Sequence, residues 1–400
     1  MMTTNNGRAK LGIYIHIPFC VCKCRYCGFL SFDNLDTDIH SRYIRALADE
    51  IRLQGSLYKD EYIVDTVFIG GGTPSVLEPE YTEQILAAVR AGFDVADSAE
   101  ITIETNPGTL SRHKLTVYRE CGISRLSIGV QSMNDDILRT LGRIHSVREF
   151  EENFALAREL GFDNINTDLM FAVPGHTEQI WQETLEKILE LSPEHISFYS
   201  LQIEEGTPFA GMYAEGTLEE IPDDTDRKMY RTAAELLTRR GYEHYEISNA
   251  ARWGFVSRHN LKYWTMQEYL GFGLGASSYF KGRRFQNTQD MNKYIRSAGQ
   301  SIFAGGCDCF RAAGCVDEFH VNTDFDNASE FVFTGLRRAS GINLDDFMRF
   351  TGRSLFDVFP EAERNIAVWQ AAGLAAYDGQ VLKLTYDGID ISNDILSEFV

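Results

Sequence analysis

A chain of 400 residues with 44% hydrophobic and 24% charged residues can bury a large core and has the make-up of a soluble globular protein. Its formal net charge of −20 speaks against nucleic acid, since nothing supplies a basic stripe, and no apolar run reaches the length of a membrane span. The first residues, MMTTNNGRAK, hold no apolar targeting core; the cytoplasm is the expected compartment, where eight cysteines read as ligands or reduced thiols.

The first apolar run predicts a strand over 12–17. Directly after it stand Cys20, Cys24 and Cys27, a C-x3-C-x2-C loop that offers three thiolates where a structural zinc site wants four ligands. Three readings stay open on spacing alone. An iron–sulfur cluster would keep one iron free of protein; a zinc site would draw on His16 or Cys22; unrelated thiols need no partner. Cys22, inside the loop, is a potential stand-in for a neighbour.

Further β-branched runs predict strands over 66–69, 100–104, 125–130, 164–170 and 195–201. Between them, apolar residues at three- and four-residue spacing predict helices over segments such as 43–53, 83–91 and 177–190. Six strand–helix units without hairpin signals imply an α/β fold with a parallel sheet. Chemically capable groups stand near the C-terminal end of nearly every strand: the cysteine loop, Gly70 to Thr73, Glu104, Gln131, Asp168 and Tyr199. One rim fed by many strand ends favours a partial barrel over a doubly wound sheet.

The barrel domain is expected to span 1–235, with an acid-led helix running to Arg240. Residues 236–303, rich in aromatics and glycine, read as a capping region. Residues 304–316, with Cys307, Cys309 and Cys315, read as an irregular linker. A small α+β domain over 317–400 is expected to resemble a winged helix, with a hairpin around Asp378-Gly379.

Taken residue by residue, the glycines of VFIGGGTPSVL let backbone approach a ligand, or simply make a tight βα turn. They are not a P-loop, because the lysine is missing. Glu104, ending an apolar strand, asks for a cationic or hydrogen-bonding partner if buried. Arg143 offers a guanidinium fork for a carboxylate. Asp168 shares a strand face with Asn166, which suits a polar ligand such as a ribose.

The segments YIHIPFCVCKCRYC, FIGGGTPS, IETNP, RLSIGVQS, LGRIH and NTDLMFAVPG, in that order, resemble the radical S-adenosylmethionine superfamily and its coproporphyrinogen-oxidase-like branch. The resemblance implies a partial (β/α)6 barrel in which Cys20, Cys24 and Cys27 hold a [4Fe-4S] cluster with Tyr14 beside it. S-adenosylmethionine would chelate the open iron, met by Gly71, Gly72, Thr73, Glu104, Gln131, Arg143 and Asp168, with Tyr26 on the adenine side. The implied chemistry is reductive cleavage to methionine and a 5′-deoxyadenosyl radical.

Within the branch, the oxygen-independent coproporphyrinogen III oxidase of porphyrin biosynthesis has a fourth cysteine two residues after the third, and a long N-terminal extension. Here that position is Phe29, and 19 residues precede Cys20. The chain is more similar to the HemW-type haem chaperones, whose H-N-x-x-Y-W motif stands here as His259, Asn260, Leu261, Lys262, Tyr263 and Trp264. That resemblance implies haem as cargo, bound through His259, Asn260, Tyr263 and Trp264. It also implies apo-haemoproteins as partners, membrane-associated acceptors among them; it leaves the oligomeric state open, a dimer included. One local departure is Gly275-Ala276-Ser277-Ser278, where the chaperones often carry a histidine.

Overall fold

The computed structural model describes residues 7–33, 36–303 and 311–400; Cys307 and Cys309 lie outside them. Six strands lie side by side in chain order and parallel: β1 (Ala9–Ile17), β2 (Tyr62–Gly71), β3 (Val95–Thr105), β4 (Arg125–Gln131), β5 (Ile165–Phe171) and β6 (His195–Ser200). Helices such as Thr37–Tyr58, Pro79–Gly92, Arg112–Glu120, Val147–Glu159 and Glu178–Leu191 make the crossovers. All seven residues of β4 are buried, as expected of a strand covered on both faces. In β1, Leu11, Ile13, Ile15 and Ile17 pack into the core while Tyr14 and His16 alternate to the opposite face. The predicted strands and helices thus stand; β1, β2, β3 and the first two helices run several residues beyond their apolar signals, and the others match theirs to within a residue at each end.

The sheet continues past this unit at both edges. Beyond β6 lie β7 (Glu243–Glu246) and β8 (Asn249–Ala251), with β8 paired to β6. Beyond β1 come β9 (Tyr269–Phe272), parallel to it, then β10 (Ser277–Phe280) and β11 (Arg283–Asn287). A separate antiparallel pair, β12 (Ser301–Phe303) and β13 (Arg311–Ala313), precedes β14 (Val316–Val321), which pairs with β11. The strand order is β14-β11-β10-β9-β1-β2-β3-β4-β5-β6-β8-β7, an open sheet of twelve strands in which β6 and β1 do not meet. The barrel is therefore partial.

Within residues 236–303, backbone groups at the open edges of β1 and β6 take up β9 and β8, so this region extends the sheet at both ends. Cys315 is wholly buried, its thiol 3.5 Å from Glu50 Oε1, because β14 docks on β11 and draws the preceding residues inward.

Glu50 ties these parts together. Its Oε2 accepts from Gly273 N at 3.0 Å and Tyr294 Oη at 2.6 Å, and its Oε1 accepts from Asn287 Nδ2 at 2.7 Å. Burial pushes its carboxyl up to about 7 even with these donors facing it. The folded state therefore holds the proton more tightly than the unfolded chain, so stability falls as pH rises from about 4.5 to about 7. Urea titrations across that window should show the slope, and Glu50→Gln should flatten it. Glu50→Ala leaves buried donors unpartnered and should cost about 3 kcal/mol.

Close packing on the outer layer has a plain cause. A Cβ on Gly55 of helix Thr37–Tyr58 would lie 2.3 Å from Gly92 O of helix Pro79–Gly92, so the two helices meet where neither carries a side chain.

The C-terminal part has its own core of Val332, Phe347, Ile366, Trp369 and Phe399. Helix Asp324–Gly335 opens it on a Thr323–Asp326 capping box. A three-stranded antiparallel sheet of β15 (Ile342–Asn343), β16 (Ala375–Tyr377) and β17 (Val381–Leu384) has the order β15-β17-β16. Among the described residues no helix is long and apolar enough to cross a membrane.

Candidate functional site

The cysteine loop is pinned at its base and along its length. Phe19 bridges Phe32, Cys20 N donates to Phe32 O at 2.9 Å, and Arg25 N donates to Leu141 O at 3.1 Å. Cys20, Cys24 and Cys27 are half-buried and face a cavity of about 630 Å³ at the C-terminal ends of the parallel strands. Cys22 is exposed.

The sequence-predicted residues converge on this cavity. Tyr26, Gly71, Gly72, Thr73, Glu104, Gln131, Arg143 and Asp168 all line it. Thr73 Oγ1 lies 3.6 Å from Cys20 Sγ, and Arg143 Nη1 lies 3.5 Å from Cys24 Sγ. A Cβ on Gly72 would sit 3.0 Å from Cys20 Sγ and 2.8 Å from Phe19 O, so only glycine lets this turn lie against the thiol. Gly71 N donates to Glu104 Oε2 at 3.0 Å. Gln131 stands in the left-handed region (φ 68) as β4 leaves the sheet, a strained placement that turns its side chain off the strand's alternation.

Charge divides the cavity. Burial, then the nearby Asp168 carboxylate, pushes Glu104 up to about 8, and burial raises Asp168 also. Asp168 is held by Asn166 Nδ2 at 2.7 Å and Ser127 Oγ at 3.1 Å. Opposed to these acids, Arg143 donates to Asn106 Oδ1 at 2.6 Å and Gly129 O at 2.5 Å, while its buried Nε has no partner. Two raised carboxyls gain from a cationic guest, and a guanidinium with a spare donor gains from an anionic one. A zwitterion meets both demands. At the mouth, burial raises the Cys20 and Cys27 thiols, so as thiolates they call for a cation, and soft sulfur suits iron. The residues present thus fit an iron–sulfur cluster with a zwitterionic ligand beside it.

The sequence named Asn166 and Tyr199 but not the hydrogen bonds they make, nor His195, Tyr245 and Asn106 as supports. Asn166 Oδ1 lies 2.6 Å from His195 Nδ1, and His195 Nε2 lies 2.8 Å from Tyr245 Oη, so a buried chain from β5 through β6 to β7 fixes Asp168. Tyr199 Oη donates to Gln131 Oε1 at 2.9 Å. Asn106, two residues past Glu104, bonds both Arg143 and Thr73 Oγ1; its place in IETNP was the available signal.

Tyr14 lines a second cavity of about 940 Å³, between β1, the β9–β11 edge and helix Asp324–Gly335, and its phenol, raised by burial, also feels the Glu104 carboxylate of the first cavity. Its hydroxyl bonds His16 Nδ1 at 3.0 Å, and the His16 ring's other nitrogen lies 2.9 Å from Leu30 O. His16 is therefore engaged within the fold and is not a spare zinc ligand. The two cavities share a rim of Lys23, Gly28, Phe29 and Ser31, with Phe29 69% exposed between them.

The H-N-x-x-Y-W segment forms the helix Arg258–Trp264, capped by Ser257. Tyr263 and Trp264 line the second cavity, and the buried Trp264 Nε1 has no partner. His259 does not reach it. The ring is fully enclosed, with Nδ1 2.9 Å from Thr66 Oγ1, Nε2 2.8 Å from Tyr263 Oη and one face on Phe68. Burial pushes it down to about 3, so it is neutral and hydrogen-bonded on both nitrogens. In this structure His259 meets the cavity through Tyr263, whose hydroxyl it holds. Asn260 likewise lies off both cavities, its N–H bonded to Ser257 Oγ at 3.3 Å. Gly275, Ala276 and Ser277 do line the second cavity.

Comparison with known proteins gives a consistent set of likenesses. The Radical SAM superfamily model matches residues 14–188, and the HemN C-terminal domain model matches 323–391. The heme chaperone HemW of Bacillus subtilis is 34% identical over 97% of this chain and 98% of that protein. The heme chaperone HemW of Lactococcus lactis is 32% identical over 97% and 96%. A mitochondrial radical S-adenosyl methionine domain-containing protein 1 of Danio rerio is 37% identical over 97% and 86%. Among solved structures, coproporphyrinogen III oxidase (HemN) from Escherichia coli superposes with a TM-score of 0.83 at 22% identity, covering 98% of this chain and 90% of that one; this likeness concerns the fold.

Proposed function

The chain belongs to the radical S-adenosylmethionine superfamily and, within it, to the HemW family, and from that membership we propose that it is a haem chaperone. In this reading it works in the cytoplasm, takes up haem and passes it to apo-haemoproteins, membrane-associated acceptors included. The superfamily implies a [4Fe-4S] cluster and S-adenosylmethionine.

Cys20, Cys24 and Cys27 hold the cluster at the mouth of the first cavity. When bound, the cluster supplies an electron and one iron open to the amino and carboxylate groups of S-adenosylmethionine. The protein's part is recognition and orientation. Glu104 and Asp168 balance positive charge, Arg143 offers its fork to a carboxylate, and Tyr26 covers an aromatic face. The Asn166–His195–Tyr245 chain keeps Asp168 from turning away.

Haem occupies the second cavity, whose volume is in the range that encloses a whole cofactor. The observation that carries the reading is this cavity itself: it lies against Tyr263 and Trp264 of the motif helix and shares its rim with the cysteine-lined cavity at Phe29. Phe29 at the fourth-cysteine position supports a carrier over a decarboxylase.

The test is an anaerobic reconstitution followed by two parallel assays. Titrated haem should bind about one per chain, and Trp264→Ala should weaken it roughly tenfold through lost stacking. Coproporphyrinogen III should return without vinyl groups. Sustained decarboxylation would transfer the assignment to an oxygen-independent coproporphyrinogen III oxidase.

A further inference from the structure

We propose that Arg284 anchors a carboxylate of the flat ligand in the second cavity, and that Glu330 is the internal anion displaced when it loads. The proposal rests on the reading of that cavity as a haem site. Its walls include the aromatic rings of Tyr263, Trp264, Tyr269 and Tyr279, which suit a flat apolar ring. Haem, however, carries two propionates, and a cavity that accepts it needs a cation for at least one of them.

Three cations line the cavity: Lys23, Lys262 and Arg284. Lys262 is spent. Its ammonium is 2% exposed, 2.7 Å from Asp65 Oδ1 and 3.3 Å from Gln267 Oε1. Lys23 is exposed on the cysteine loop, at the rim shared with the first cavity. Arg284 is the cation built into the wall. Its guanidinium lies 4.7 Å over the Tyr279 ring and Nη1 donates to Tyr269 Oη at 3.4 Å, so two cavity aromatics fix its plane.

What Arg284 holds is informative. Its Nε donates to Glu330 Oε1 at 2.8 Å and its Nη2 to Oε2 at 2.7 Å, a planar bidentate pair. A propionate carboxylate has the same geometry and charge, so the exchange replaces one fork-on-carboxylate pair by another. Glu330 does not become an orphan, because Asn322 Nδ2 also donates to its Oε2 at 3.1 Å. Glu330 belongs to helix Asp324–Gly335, the first helix of the C-terminal part, whereas Arg284 belongs to β11 of the main sheet. Loading therefore exchanges a bond that ties the C-terminal part to the sheet for one that ties the ligand to the sheet. The specificity is for a flat apolar ring bearing free carboxylates.

The experiment titrates the cluster-loaded full chain with haem and with haem dimethyl ester, which lacks free carboxylates, following visible absorbance. Arg284→Gln should raise the Kd for haem about tenfold and leave that for the ester unchanged. Arg284→Lys, which keeps charge without the fork, should fall between. Glu330→Gln, which removes the competing anion, should tighten haem severalfold. Hydrogen exchange in helix Asp324–Gly335 should quicken on loading with haem and not with the ester. Haem binding to the Arg284 variants at the wild-type Kd, or an equal loss for acid and ester, overturns the anchor. Failure of the wild-type chain to bind either compound overturns the haem site beneath it, so the two failures are distinguishable. Circular dichroism and iron content of each variant separate misfolding from lost recognition.

Discussion

Serine in place of any one of Cys20, Cys24 or Cys27 should abolish the brown colour and visible charge-transfer absorbance of the anaerobically reconstituted protein, and bring iron from about four per chain to near zero. The three thiols share one loop, and that loop is closed by the Phe19–Phe32 bridge and the Cys20–Phe32 hydrogen bond rather than by the cysteines themselves. The variants should therefore fold, which makes iron content a clean readout. Cys22→Ser should keep the full complement, because Cys22 is exposed and its Sγ is turned to Lys23 O, at 3.7 Å. Repeating each substitution in a Cys22→Ser background removes a potential replacement ligand. A cluster that survives the loss of Cys24 in that background would refute the three-cysteine assignment.

The second large effect concerns the acid wall of the first cavity. Glu104→Gln should weaken S-adenosylmethionine binding roughly 10- to 100-fold, the scale of one charge-assisted hydrogen bond, as measured by equilibrium dialysis on the cluster-loaded protein. Among the described residues the carboxylate receives only Gly71 N, and it lines the cavity, so most of its acceptor capacity faces a guest. Its raised affinity for a proton has a sign that can be checked. With Glu104 pushed up to about 8 by burial and by Asp168, binding of a cationic guest should release a proton near neutral pH. Affinity should accordingly rise with pH through that region, and Glu104→Gln should remove most of the rise. Isothermal titration in two buffers of different ionisation enthalpy reads the proton directly. An unchanged Kd in Glu104→Gln would place the ligand's charge elsewhere.

A third consequence follows from the positions of Tyr14, His16 and Gly71. Tyr14 and His16 share the inner face of β1, and the His16 ring would meet a Cβ on Gly71 at 2.7 Å. The residue motif that begins the cysteine loop thus builds the wall between the two cavities. Both cavities also share Lys23, Gly28, Phe29 and Ser31, so a change at either should be felt at the other through a few side chains and not through the whole sheet.

Much of this protein was readable from local pattern. Alternation and βα punctuation located the six parallel strands, because a strand covered by helices on both faces must be apolar along its length. The cysteine spacing, the glycine turn, Glu104, Gln131 and Asp168 were legible because each sits at or near a strand's C-terminal end, where a parallel unit presents its ligand groups on one rim, while Arg143 reaches the same rim from the loop after helix Asp135–Leu141. What the sequence could not decide was which side of a residue is free. His259, Asn260, Tyr263 and Trp264 stood together as one motif; the fold sets His259 between Thr66 and Tyr263, with both nitrogens bonded, and leaves Tyr263 and Trp264 facing the cavity. Cys315 read as linker until β14 docked on β11 and enclosed it beside Glu50. Arg284 and Glu330, far apart in the chain, carried no motif at all. Local pattern determines which residues can do chemistry, since periodicity and turn residues are short-range. Only long-range strand pairing decides which of them keep a hydrogen-bonding edge open to a guest.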